Sequence, residues 1–411
     1  MNILFLHRNF PAQFKYLALE LAKDKSNNVV FVTNNSTTKS FGGIKKFVYN
    51  LKRKVPADCH RYLRFYEESI IHGQAAAGVL LQLQQGGFTP DVIVGHSWGS
   101  SLFVKEVFPD VPYVAYIEWY YNPTNSDVDF SNGALDVDAK ASLKMKNSHI
   151  LEDLVSCNYG LSPTKWQKSQ IPQEFQNKIK VIHEGIDTDF CKPNRNVEFK
   201  IPGTETILNK NDEVLTYATR GMEEYRGFPE FMKSASILMK QRPNLKVVIG
   251  GEDRVCYGRH LKNDSFKTKM LRELEFDESR LFFTGPLPYN EYVKLLQVSS
   301  VHVYLTYPFV LSWSFLEAMS AGCACVASDV GGLSNIIINK HNGVLIRPDA
   351  EDLREAIIYL LENDEQRLYL AQNAQRTVMD SFSEEKWAER WKKFLVDCYP
   401  PKQVINNVMK E

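Results

Sequence analysis

Three stretches of this 411-residue chain carry residue types at spacings that chemistry uses. Gly95-His96-Ser97-Trp98-Gly99 is a G-x-S-x-G pentapeptide between an apolar run and a segment that reads as a helix. In a hydrolase that context is a nucleophile elbow, a sharp strand-to-helix turn that lifts a serine hydroxyl out of the sheet. Such a serine needs an acid and a histidine further along the chain and an oxyanion loop ahead of it. His149, His183, His260, His302 and His341 are available, but nothing like H-G-G-G precedes Ser97. The second stretch, T-R-G-M-E-E-Y-R-G-F, puts Arg220 and Arg226 on one strand-to-helix loop. Two guanidiniums there suit a diphosphate, because each forks onto phosphate oxygens and stays charged at any pH. A solvated loop, with Glu223 and Glu224 pairing locally, accounts for the same residues equally well. The third stretch, residues 307–322, sets Ser314 three positions ahead of Glu317. That spacing is a capping box at a helix start. It also suits a phosphate held on the free amides of residues 312–314, with Glu317 accepting from a pair of sugar hydroxyls. Periodicity does not separate these two accounts.

The elements that would position these residues alternate. Short apolar runs at 3–6, 29–32, 92–94, 113–117 and 181–182 are interleaved with helical patterns, which argues for a parallel sheet covered on both faces. A loop-rich stretch, 191–212, reads as a linker. A second alternation follows, with strands at 214–219, 246–250, 281–284, 301–305, 325–328 and 344–346. The chain is therefore an α/β protein with two domains of similar size, 1–190 and 213–385. From Ser383 an amphipathic helix with a Trp387/Trp391 stripe begins, and the helix and tail over 386–411 are expected to pack back on the first domain. Ligands of open α/β sheets sit at the carboxyl ends of the strands, so the site is expected in a cleft between the domains. Neither a G-x-G-x-x-G nor a G-x-x-x-x-G-K-S/T loop occurs, so neither a nicotinamide dehydrogenase nor a P-loop nucleotidase is supported.

Composition excludes other classes. With 49 basic and 49 acidic residues there is no global field to attract nucleic acid. Seven scattered cysteines without a C-x-x-C pair suggest neither a zinc site nor a redox motif and fit a reducing cytoplasm. No run approaches the ~20 apolar residues that span a bilayer. Locally, Lys45, Lys46, Lys52, Arg53, Lys54, Arg61 and Arg64 crowd residues 45–64, interleaved with Phe47, Leu51, Tyr62 and Leu63. This segment is either a solvated basic face or a surface for peripheral contact with anionic lipid.

The combination of V-I-H-E-G-I-D-T-D-F-C-K-P (181–193), T-R-G-M-E-E-Y-R-G (219–227), F-T-G-P-L-P (283–288), L-E-A-M-S-A-G (316–322) with A-S-D-V-G-G (327–332), and N-G-V-L-I-R-P (342–348) resembles the retaining glycosyltransferases of family 4. The likeness covers roughly residues 181–385, where the motifs occur in the family's order. It implies the GT-B architecture, two Rossmann-like domains facing each other across a cleft. It also implies transfer of a hexose-type sugar from a nucleotide-sugar donor, a UDP-sugar before a GDP-sugar, to a hydroxyl of a glycan, lipid-linked or protein acceptor. No cofactor and no metal are expected.

Carried over residue by residue, the resemblance makes Arg220 and Arg226 the phosphate-binding pair, Arg226 standing where the family usually has lysine. Glu317 takes the second position of an E-x7-E motif and holds the ribose hydroxyls. Leu287 falls where backbone groups pair with the nucleobase, and Gly250 and Gly251 allow close approach of the donor. Phe309 departs from the pattern, because the family's first Glu belongs there. Ser312, Trp313 and Ser314 fall near the sugar, although Trp313 by its type reads first as a buried core aromatic. In the first domain H-R-N-F-P-A-Q-F replaces the family's glycine-rich loop, which puts Asn9, Phe10 and Gln13 on the acceptor side. Glu118 replaces a family histidine and is expected to stabilise positive charge or bind acceptor. His96 is expected to line the cleft, and Ser97 to cap a helix. The rivals are a serine hydrolase using Ser97 and a catalytically silent GT-B partner subunit.

Overall fold

The computed structural model describes residues 1–398, without the side chains of Ser131 and Asn132. The chain divides into two compact units, Met1–Gly185 with the stretch from Glu384 onward, and Ile186–Ser383. The first unit holds a seven-stranded sheet of β1 (Asn2–His7), β2 (Asn28–Thr33), β3 (Lys45–Val48), β4 (Val92–His96), β5 (Tyr113–Tyr116), β6 (Tyr159–Ser162) and β7 (Ile179–Val181). Their order is β3-β2-β1-β4-β5-β6-β7, every pair parallel. The order reverses between β1 and β4, the place where open α/β sheets bind ligands.

Continuous apolar runs make these strands because both faces are covered. Ile3 and Phe5 enter one core with Phe14, Leu17, Phe31 and Val94, while Leu4 and Leu6 enter the other with Ala76, Leu80, Ile93 and Leu154. The final helix, Glu384–Cys398, closes the first of these cores with Trp387, Trp391, Phe394 and Leu395. Trp391 also donates its indole N–H to the carbonyl of His183 at 3.1 Å, and Lys392 pairs with Glu20 at 2.6 Å. The tail beyond, 399–411, lies outside the described residues.

Residues 191–212 are part of the second unit and not a linker. The antiparallel pair β8 (Phe199–Lys200) and β9 (Ile207–Leu208) lies within them. Val197, Phe199, Ile201 and Leu208 are buried against Val214, Val248, Leu295 and Val298. Polar flanks mask a period of two at 197, 199 and 201, which is what seats the segment on the core. The main sheet of this unit has six strands, β10 (Val214–Gly221), β11 (Lys246–Glu252), β12 (Leu281–Gly285), β13 (Val301–Tyr304), β14 (Ala324–Ser328) and β15 (Val344–Ile346). They run parallel in the order β12-β11-β10-β13-β14-β15.

The turn after β4 also differs from expectation. Residues 97–103 form successive turns, and the only helix there is the four-residue Val104–Val107, capped by no side chain. Ser97 is buried and caps nothing. Gly99 is the residue with positive φ, 92°, where a Cβ would lie 2.7 Å from Cα of Ser69. Without a strained serine backbone or a histidine bonded to Ser97 among the described residues, the turn is not a nucleophile elbow.

Candidate functional site

In the first unit the ends of β1, β4 and β5 converge. His7 and His96 end β1 and β4, with ring centroids 4.5 Å apart, and Trp98 lies 4.4 Å from His96. Glu118 follows two residues after β5. Gln13 donates its amide to Oε1 of Glu118 at 2.6 Å, and Nε2 of His96 lies 3.5 Å from Oε2 without hydrogen-bond geometry. Burial raises the Glu118 carboxyl to about 7, a rise that Gln13 opposes by bonding the charged form. Burial, with Arg8 adding repulsion, lowers His96 to about 3, so its imidazole is neutral near pH 7. Both nitrogens of His96 are buried without a hydrogen-bond partner. The pair thus supplies a carboxyl poised between its two charge states beside a neutral ring, as general acid–base or charge-stabilising groups are.

Of the residues expected on the acceptor side, Asn9 is exposed and its backbone N–H donates to Nδ1 of His7 at 2.8 Å. Phe10 is a correction. Its ring is buried in the core, 4.9 Å from Phe31, because the turn after β1 folds it back onto β2. It cannot meet an acceptor.

In the second unit Arg220 is the penultimate residue of β10 and its side chain is exposed, whereas Arg226 is buried. Nη1 of Arg226 donates to Oγ1 of Thr306 at 2.7 Å and to the hydroxyl of Tyr304 at 3.2 Å. Its guanidinium carbon lies 5.1 Å from the ring centroid of Tyr257 and 5.7 Å from that of Tyr225. Phe309 packs at 5.5 Å from Tyr225 and 5.4 Å from Tyr257, so the residue standing in for a carboxylate closes an aromatic wall beside this cation. Glu223 is fully buried and accepts from the amides of Cys256, Tyr257 and Gly258 at 2.7–3.1 Å. The loop is therefore not the solvated one in which Glu223 and Glu224 pair. Gly251, with φ 123°, could carry no Cβ, which would meet the carbonyl oxygen of Thr219 at 1.9 Å; Gly250 is under no such constraint.

A separate group surrounds the helix Trp313–Ser320. Its N-cap is Ser312, and no side chain makes a cap bond. Glu317 is not the acid of a capping box; it is nearly buried and accepts from the hydroxyl of Tyr289 at 2.8 Å. Ser312 and Ser314 share a hydroxyl contact at 2.8 Å. Trp313, the first residue of the helix, is 37 % exposed, against the expectation of a core aromatic. Leu287 is partly buried and packs its side chain on the core that holds Phe199. Tyr289 and Tyr257 stand out in no sequence motif, and His7 opens the H-R-N-F-P-A-Q-F stretch without being singled out in it. Their signal lies in adjacency of strand ends, which no single motif contains.

Two family models cover most of the chain in succession: the glycosyl transferase family 4 group over residues 25–191, and the glycosyl transferases group 1 over residues 204–377. This chain belongs to glycosyltransferase family 4. An uncharacterized glycosyltransferase of Methanocaldococcus jannaschii is 25 % identical over 55 % of this chain and 47 % of its own length. The N,N'-diacetylbacillosaminyl-diphospho-undecaprenol alpha-1,3-N-acetylgalactosaminyltransferase of Campylobacter jejuni is 33 % identical over 45 % of this chain and 43 % of its own. The chain thus spans about half the length of these curated relatives. The Anabaena protein HepE, solved with UDP, superposes with a TM-score of 0.70 at 15 % identity over 97 % of this chain and all of HepE, which establishes the fold as GT-B. The strand-end residues of each unit lie at the carboxyl edge of that unit's own sheet, the edge at which open α/β sheets bind ligands.

Proposed function

We propose that this family 4 chain transfers a hexose-type sugar from a nucleoside-diphosphate donor, with UDP-sugars ahead of GDP-sugars, to a hydroxyl acceptor with retention at the anomeric carbon. The observation that carries this reading is the setting of Arg226. A buried arginine spends one nitrogen on neutral hydroxyls, is surrounded by tyrosines, and faces no carboxylate partner among the described residues. A diphosphate supplies the missing counter-charge. Arg220, one loop away and exposed, supplies a second cation, Gly251 lets the backbone approach, and Glu317 accepts from the ribose hydroxyls.

In the transfer the bond from the anomeric carbon to the leaving phosphate oxygen breaks. The acceptor oxygen bonds the same face of that carbon, and its proton passes to the phosphate oxygen. Arg220 and Arg226 neutralise the departing diphosphate, a role that a divalent ion takes in other enzymes, so the reaction requires no metal or cofactor. Ionised Glu118 stabilises positive charge on the acceptor side, with Gln13 holding its position. Acceptors are glycan, lipid-linked or protein hydroxyls. Peripheral contact with anionic lipid on the cytoplasmic side is supported by Phe47, Leu51 and Leu63, each more than a third exposed among the exposed Lys45, Lys52, Arg53, Lys54 and Arg64. No helix among the described residues is long and apolar enough to cross a membrane.

Thermal shift with UDP and GDP, together with a transfer assay over a panel of nucleotide sugars, tests the reading. Arg220→Ala should lower transfer by ~10²-fold or more while leaving the melting temperature unchanged, since the side chain is exposed. Absence of stabilisation by either nucleotide would overturn it. Stabilisation without transfer from any donor would favour the silent subunit.

A further inference from the structure

Residues 253–265 run from the end of β11 to the helix Phe266–Glu273 and belong to no strand or helix. With no ladder to hold it, such a loop depends on other partners for its backbone N–H groups. The carboxylate of Glu223, on the loop after β10, supplies them. Its Oε1 accepts from the amide of Cys256 at 3.1 Å, and its Oε2 accepts from the amides of Tyr257 at 3.0 Å and Gly258 at 2.7 Å. Successive backbone N–H groups converging on one point form an anion nest, and here the anion is the chain's own side chain. The two loops also touch directly. A Cβ on Gly221 would lie 2.6 Å from the carbonyl oxygen of Arg254, and one on Gly258 would lie 3.2 Å from Oε2 of Glu223.

The anchored loop carries Tyr257, whose ring centroid lies 5.1 Å from the guanidinium carbon of Arg226 and 5.4 Å from the rings of both Tyr225 and Phe309. Tyr225 is buried, but Tyr257 is 42 % exposed, so the core does not fix its ring and its loop must. Aromatic faces hold a guanidinium without cancelling its charge, as a carboxylate in the same place would. Glu223 stands three residues before Arg226 yet spends both oxygens on amides, which leaves the arginine's charge to a phosphate.

We infer that Glu223 is a positioning residue for the donor diphosphate: by filling the nest of residues 256–258 it holds Tyr257 against Arg226, so that the guanidinium is set before a nucleotide arrives. The inference rests on the transfer reading above, which gives Arg226 to the diphosphate, and deepens it by naming what orients that arginine.

The full chain is titrated with UDP and uridine, with GDP and guanosine, and with inorganic pyrophosphate, which probes the phosphate contacts alone. Glu223→Gln keeps the shape of the side chain, yet whichever way its amide turns, at least one of the three N–H groups meets an NH2. It should weaken the diphosphates and pyrophosphate by about tenfold, leave the nucleosides within about twofold, and speed hydrogen exchange in the peptide covering residues 253–258. Tyr257→Ala, at an exposed ring, should weaken the same ligands to the same degree. Adding Glu223→Gln to it should change them by less than about twofold further, because the two substitutions act through one contact. Formate, which fits the emptied nest, should restore part of the affinity of Glu223→Ala and none of that of Tyr257→Ala. Additive losses, equal losses for nucleosides and diphosphates, or unchanged affinity in Tyr257→Ala overturn the inference, and UDP or GDP binding by the wild type then leaves the transfer reading standing. A wild-type chain that binds neither nucleotide nor pyrophosphate overturns both.

Discussion

Gln13 and Glu118, 105 residues apart in the chain, are joined by a 2.6 Å hydrogen bond in which the amide N–H donates to a carboxyl held at about 7 by burial. The bond favours the ionised form, so removing it must raise that value further. If ionised Glu118 supports transfer, the rate rises with pH through about 7 in the wild type. Gln13→Ala should move this inflection upward by roughly one pH unit, equivalent to about 1.4 kcal/mol. Glu118→Gln should abolish it. A rate independent of pH between about 6 and 8 would sink the assignment.

Adjacent glycines at the end of β11 should respond differently to the same substitution. Gly251→Ala places a Cβ against the carbonyl of Thr219 and forces φ 123° on an L side chain. A loss of about 2–4 kcal/mol is expected, together with weakened nucleotide binding. Gly250→Ala meets nothing closer than 3.5 Å and should cost less than about 1 kcal/mol. Melting curves of the two variants decide the point, and equal losses would refute the backbone argument.

Asp153 makes stability fall as pH rises. It is buried, accepts from the hydroxyls of Tyr113 at 2.7 Å and Ser101 at 3.2 Å, and is raised by burial from 3.8 to about 7. The native state therefore keeps a proton that the unfolded chain releases. The stability this contributes is complete below about 4 and is lost as pH climbs through about 7, each pH unit between these limits removing about 1.4 kcal/mol. Buried His96, His149 and His302 act at the other end, their values lowered to between about 3 and about 4 by burial. Their contribution is present above the ordinary 6.5 and is lost as pH falls. Asp153→Asn should remove this group's downward slope, so that the difference in stability between variant and wild type changes by about 1.4 kcal/mol per pH unit between about pH 4 and 7 and is constant above. Denaturant midpoints over that range provide the measurement, and an unchanged slope would contradict it.

The strands that face apolar surroundings on both sides are legible because burial on two faces leaves continuous runs such as I-L-F-L and V-V-I-G. Lys45–Val48 and Tyr159–Ser162 escape such a reading, the first because an edge strand keeps exposed lysine and phenylalanine, the second because it is short and holds Gly160. Arg220, Arg226 and Glu317 can be found from motif spacing, since one loop or one helix turn carries each. Glu223 cannot be read, because its three amide partners lie more than 30 residues away on the loop after β11. Phe10 misleads for a similar reason: its polar neighbours point to a loop, while its ring packs on Phe31. A small pocket lined by Arg8, Trp119 and His149 draws on distant positions, which meet only through the order of the strands.

The last helix gives the chain an order of assembly. The second unit occupies one unbroken stretch, Ile186–Ser383, so every residue it needs has been synthesised before translation ends. The first unit begins at Met1 yet lacks Trp387, Trp391 and Leu395 until the ribosome has passed them. Its β1–β2 face, with Phe5, Phe14 and Phe31, therefore stays only partly covered, by the helix Lys15–Lys23, until the residues from Glu384 onward are made, and of the two units the one whose sheet is synthesised first is the one completed last.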